Sequence, residues 1–278
     1  MIAYPLYEKA KRLLMREYRD NLPYVQGNRH YELYMYEKIR HSFQVSGAGN
    51  GILKHEKYFA DRNKEFIDIA RTAILLHDIY RFREIRGLFE ENKAVDHSVL
   101  GAEFLRQINE FNNILITLPI KHHGHMIEEF YKDEEYQKQN PEVQEQLKHI
   151  AFAVRDADKI ANWYLLCCDF EGMKDVWLPY PDDVSDKQTQ INEVLWDYFK
   201  KDEVAPRGLG WTNADKLICV LAWFFDVNYG YSIDYCKKLK VFEGLHDILL
   251  KIHMDEEKAD EIFQILKNYG FQRFQVEI

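Results

Sequence analysis

Cysteine is scarce in this 278-residue sequence: four residues, Cys167, Cys168, Cys219 and Cys236, with no Cys-x-x-Cys spacing. A thiolate zinc site is therefore disfavoured. Adjacent Cys167 and Cys168 on one helix cannot readily bridge each other, so reduced, buried thiols are expected. Charges interrupt every apolar run long before a membrane-spanning length, and Met1-Ile2-Ala3-Tyr4-Pro5 has no secretory apolar region. A cytoplasmic protein with no membrane partner is expected. Basic residues are outnumbered, 37 Lys and Arg against 46 Asp and Glu, for a net charge of −9. That argues against a dedicated nucleic-acid binder, which needs a basic face. It still admits a small anionic substrate met by local cations or a metal. A Gly-x-Ser-x-Gly elbow is missing, so no serine nucleophile is indicated. Sustained Val-Ile-Thr alternation, internal repeats and low-complexity tracts are also missing.

What remains is helical patterning, and the fold class read from it is all-α. Helical spacing covers residues 7–19, 31–55, 61–80, a segment opening at Asp96, 114–126, 147–168, 191–200 and 213–225, with amphipathic helices beyond Tyr235. Pro23 and Gly27 mark a break, residues 86–96 read as a loop, and residues 130–143 read as a solvated connection. The run Ser46-Gly47-Ala48-Gly49-Asn50-Gly51 has the look of a phosphate-cradling loop, but no strand precedes it. Small residues at a close helix crossing, or a helix break, are the other readings. Pro206-Arg207-Gly208-Leu209-Gly210 is a further break.

Chemistry concentrates in Ala73-Ile74-Leu75-Leu76-His77-Asp78-Ile79-Tyr80-Arg81. An apolar run that ends in an imidazole and a carboxylate gives those groups a rigid wall to stand on. Other metal-capable residues follow apolar helical stripes in the same way: His41, His97, His122, His123 and Asp158. Imidazole nitrogens mixed with carboxylate oxygens suit Mn, Fe, Co, Ni or Zn, one ion or two, and leave coordination positions for water and substrate.

The series Arg40-His41-Ser42, Leu75-Leu76-His77-Asp78-Ile79 and Ala157-Asp158-Lys159 resembles the HD-domain superfamily of metal-dependent phosphohydrolases. Asp96-His97-Ser98-Val99-Leu100-Gly101-Ala102-Glu103 and the His122-His123 pair resemble the extra histidine motifs of two-metal members. The resemblance implies an HD-type helical bundle over about residues 30–170, within one all-α domain of residues 1–278. Residues 171–278, about which the resemblance says nothing, form a helical C-terminal extension. It further implies His41, His77, Asp78 and Asp158 as metal ligands; if Asp78 bridges two ions, His97, His122 and His123 would complete the set. Asp156 competes with Asp158 or orients a ligand histidine.

An anionic substrate needs cations, and Arg81, Lys121, Arg155 and Lys159 stand beside these ligands in sequence. The expectation is a phosphohydrolase acting on a phosphomonoester or phosphodiester of a nucleotide-like small molecule. Asp78, Arg81 and Lys159 are its expected catalytic residues. A di-iron oxygenase of similar scaffold and a non-catalytic metal- or nucleotide-binding module are the alternatives. The sequence leaves a homo-oligomer open.

Overall fold

The computed structural model describes residues 5–206 and 208–275. The readings made at residues 1–4 and at Arg207 lie outside the described residues. Among the described residues every regular element is helical, as the missing strand pattern implied. The chain divides into two compact units, Met1–Asp158 and Lys159–Ile278. The division falls inside helix α10, ahead of the expected start of the extension at residue 171.

Unit 1 begins with α1 (Pro5–Val25), which continues through Pro23 rather than breaking there. A proline in the last turn of a helix removes only one of the final backbone bonds, so the helix tolerates it. The first turn of α1 is capped from a distance, because the Asp68 carboxylate accepts the backbone N–H groups of Leu6 and Tyr7 at 2.9 and 2.8 Å. Helix α2 (Arg29–His55) follows its Asn28 cap and runs unbroken through the small-residue stretch. The phosphate-loop reading of residues 46–51 is thereby set aside in favour of a close helix crossing. A Cβ at Gly49 would lie 2.6 Å from Cγ2 of buried Ile74.

Short helix α3 (Lys57–Ala60) leads to α4 (Lys64–Leu76), capped by Asn63, whose side chain accepts from the Phe66 N–H at 2.8 Å. Helix α4 packs against α1, α2 and α7 (Ile114–His122). Its residues Ala73, Ile74, Leu75 and Leu76 are at most 1% exposed, which explains its nearly continuous apolar character. The helix ends at Leu76, not Tyr80, and a turn over residues 77–80 leads into α5 (Arg81–Glu91). Most of the expected 86–96 loop is therefore helix, and Asn92 ends it in the left-handed conformation at φ 52°. Asp96 caps α6 (His97–Arg106), accepting from the N–H groups of Ser98 and Val99.

The expected 130–143 connection is instead mostly helical: α8 (Ile127–Lys132), α9 (Glu134–Gln137) and the start of α10 (Pro141–Cys168). Phe130, Leu147, Ala151 and Leu118 form one buried cluster there.

Unit 2 contains the end of α10, then α11 (Phe170–Trp177), α12 (Asp186–Thr189), α13 (Glu193–Lys200), α14 (Asn213–Ala222), a 3-10 turn (Trp223–Asp226), α15 (Gly230–Lys238), α16 (Val241–Lys251) and α17 (Glu256–Phe274). Asp215 is its polar anchor. That carboxylate accepts N–H groups from Asn192, Trp211 and Thr212 at 2.6, 3.0 and 3.2 Å and completes a capping box with Thr212. All four cysteines are free, but only Cys236 is buried; Cys168 is exposed and Cys167 and Cys219 are partly covered.

The crossing at Gly49 generates a prediction. Alanine gains about 1 kcal/mol over glycine in a helix, but overpacking a core typically costs about 1–3 kcal/mol. Gly49→Ala is expected to lower the urea midpoint, with Gly49→Ala/Ile74→Ala restoring part of the loss relative to Ile74→Ala alone. A raised midpoint in the single variant would show that Ile74 yields freely.

Candidate metal centre

Two of the expected ligands occupy equivalent places. His77 caps the C-terminal end of α4 and His123 caps that of α7. Nδ1 of His77 lies 3.0 Å from the Ile74 carbonyl, and Nδ1 of His123 lies 2.8 Å from the Ile120 carbonyl. Only an N–H can donate to a carbonyl, so each bond keeps a proton on Nδ1, and in the neutral ring Nε2 is the nitrogen left with a lone pair. The same bonds satisfy carbonyls of the last helical turn. The negative ends of both helix dipoles also favour a positive charge beyond them.

His41, in the middle of α2, and Asp158, in α10, complete this side. Nε2 of His41 is 3.0 Å from Oδ1 of Asp158, and Nε2 of His77 is 3.6 Å from the same oxygen. Asp78 follows directly, its side chain 4% exposed. Its Oδ2 lies 3.8 Å from Nε2 of His77 and 3.9 Å from Nε2 of His41. Its Oδ1 lies 3.1 Å from Nε2 of His97 and 3.4 Å from Nε2 of His123. Two groups of three ligand atoms each fall within one ion's reach, His41–His77–Asp158 and His77–Asp78–His123, sharing His77.

Six expected ligands therefore converge: His41, His77, Asp78, His97, His123 and Asp158. His122 does not join them. Its Nε2 is 2.7 Å from Oδ2 of Asp133, which also accepts from Lys121 Nζ at 2.7 Å. Consecutive helical side chains point in different directions, so His122 and His123 cannot both face one centre. Lys121, expected to hold substrate, is engaged by the same Asp133. Lys121 and His122 together hold that carboxyl down to about 2 against the opposing effect of its burial.

Arg155, another expected substrate residue, is buried and donates from Nη1 to the carbonyls of His122 and His123 at 3.0 and 3.2 Å, and to that of His125. It thereby fixes the backbone that carries His123. Lys159, expected in catalysis, pairs with Asp226 at 2.8 Å within unit 2. Asp156 is fully buried. Arg81 does meet the centre: Nε lies 3.4 Å from Oδ1 of Asp78, while Nη1 donates to Glu84 at 2.6 Å.

Two contributors escaped the sequence reading. Lys38 Nζ lies 3.4 Å from Oδ2 of Asp78, and Glu84, 6% exposed, braces Arg81 and comes within 3.8 Å of Nδ1 of His97. Their spacing was the available signal, since Lys38 precedes His41 by three residues and Glu84 follows Arg81 by three.

Electrostatics follow the geometry. Burial would raise the Asp78 carboxyl, but Lys38, Arg81 and His77 hold it well below the usual range. Burial works the same way on Asp158 and is overcome by the bonds to His41 and His77. Desolvation lowers His41 despite Asp158 and brings His97 to about 4 despite Asp78. His77 is raised, because the two carboxylates outweigh its own burial.

A divalent ion suits this donor set, and one feature speaks for it directly. Nε2 of His77 is buried without a hydrogen-bond partner, 3.8 Å from the nearer Asp78 oxygen and 3.6 Å from that of Asp158. A buried acceptor left unmatched costs roughly 1–3 kcal/mol, and a cation ligated there removes that cost.

The family model described as HD domain matches residues 39–163. No curated protein and no solved structure matches the chain. The matched segment holds all six converging residues, and residues 39–163 of this chain are similar to an HD domain.

Proposed function

We propose that the chain is a metal-dependent phosphohydrolase acting on a phosphate ester of a small, nucleotide-like molecule. The observation that carries this reading is the convergence of four imidazoles and two carboxylates around the unpartnered Nε2 of His77. His41, His77, Asp78 and Asp158 would hold the ion, with His97 and His123 completing a second position. Mn, Fe, Co, Ni or Zn fit mixed nitrogen and oxygen donors. A divalent ion held there supplies hydroxide at neutral pH and offsets charge on the phosphoryl oxygens.

The chain's own residues do the remaining work. The carbonyls of Ile74 and Ile120 keep His77 and His123 in the tautomer whose Nε2 faces inward. The Asp78 carboxyl, held far below its normal range, serves as a permanent anion better than as a proton carrier. Glu84 fixes the plane of the Arg81 guanidinium, and the Arg81 side chain keeps 23% exposure through which a phosphate oxygen can reach it. Arg155 sets the His123 backbone, so it supports the centre without meeting substrate.

The direct test is metal-dependent release of phosphate from a panel of nucleotide and generic phosphate esters. His77→Ala and Asp78→Ala are each expected to reduce turnover at least about a hundredfold and to lose bound metal, as loss of ligands or their supports typically does. Full activity in both variants would end the proposal.

Acidification provides a second prediction. Ligation requires neutral imidazoles, so protons compete with the ion. His41 and His97 are lowered and already neutral near pH 7, whereas His77 is raised and must give up a proton. Mn2+ affinity measured by calorimetry should therefore fall about tenfold per pH unit as pH drops below the raised value of this one histidine. A flat affinity between pH 8 and pH 6 would contradict the assignment.

A further inference from the structure

Lys38 precedes the family-matched segment and does not belong to the ligand set. Its ammonium nevertheless lies 3.4 Å from Oδ2 of Asp78, on a side chain 18% exposed. Arg81 approaches the other oxygen of the same carboxylate at 3.4 Å. Two cations from two helices thus hold opposite oxygens of one buried acid.

Their situations differ. Arg81 has a second, shorter bond to Glu84 and stays anchored if Asp78 is engaged elsewhere. Among the described residues, Asp78 is the one ion-pair partner of Lys38. A lysine ammonium is a compact point charge on a flexible four-carbon stem, free to turn when its partner is taken. A divalent ion on the Asp78 carboxylate takes that partner, because ion and ammonium compete for the same lone pairs.

Charge balance says where the ammonium goes. With ring nitrogens neutral, as ligation requires, Asp78, Asp158 and Glu84 exceed Lys38 and Arg81 by one negative charge. One divalent ion reverses the sign to an excess of one positive charge, and two ions leave an excess of three. Excess positive charge in a largely buried site is relieved by an anion that enters with the substrate. We propose that Lys38 is an anion-binding residue of this centre: it neutralises Asp78 when no divalent ion is bound, and holds a phosphate oxygen once the ion occupies that carboxylate. This inference rests on the phosphohydrolase reading.

The test uses the full chain loaded with Mn2+ and titrated calorimetrically with inorganic phosphate. Lys38→Met is expected to weaken phosphate binding about tenfold or more, and Lys38→Arg to retain most of it. Mn2+ itself should bind Lys38→Met at least as tightly as the wild type, because a competing cation is gone. Circular dichroism confirms folding, and Lys38→Gln replaces Lys38→Met if the latter does not fold. Unchanged phosphate affinity in the variants beside a binding wild type would overturn the role of Lys38 and leave the phosphohydrolase reading standing. Loss of Mn2+ in Lys38→Met would also overturn it, by making Lys38 a support of the ligands. Loaded wild type that binds no phosphate would overturn both.

Discussion

Burying the Asp78 carboxylate is the constraint on which the centre depends. Desolvating an ion of this kind costs on the order of several kcal/mol even after the protein relaxes. It persists only when positive charge and hydrogen-bond donors surround it. Lys38 and Arg81 provide the charge, and His97 approaches within 3.1 Å. Each comes from a different helix, α2, α5 and α6, so the helices of unit 1 must hold their positions for this single acid to remain ionised. The tight crossing of Gly49 on Ile74 is part of that positioning, because it sets the approach of α2, with Lys38 and His41, to α4, with His77 and Asp78 at its end.

Helix termination does the rest. In both α4 and α7 the chain stops being helical at a histidine of the candidate centre. The imidazole caps a last-turn carbonyl through Nδ1, which fixes its tautomer and aims Nε2 inward. Structure and chemistry are served by one bond in each case. Arg155 repeats the economy on a larger scale, gathering the carbonyls of His122, His123 and His125 with one guanidinium nitrogen.

Much of this was legible in the residues before any coordinates. Helical periodicity located most of the helices, and the His77-Asp78 pair with His41, His97, His123 and Asp158 marked the centre by residue type and order. Periodicity was weakest where helices are short or charged. The helices over 86–91 and 127–132 adjoin or contain the buried Ile85 and Phe130, and local pattern does not reveal that burial. The charged residues were harder still. Nearness in sequence made Lys121, Arg155 and Lys159 look like substrate contacts, yet each has found a carboxylate or carbonyl partner. Lys38 reaches Asp78 with its ammonium from 40 residues away in the chain. Partner choice among charges is decided by tertiary packing, and residue order carries little of it.

Anomalous diffraction from crystals soaked in Mn2+ would locate the ion. Density is expected bonded to His41, His77, Asp78 and Asp158 at about 2.0–2.3 Å, the range for nitrogen and oxygen ligands. Manganese density at the His122–Asp133 pair alone, or none at all in protein shown to bind the ion, would contradict this placement.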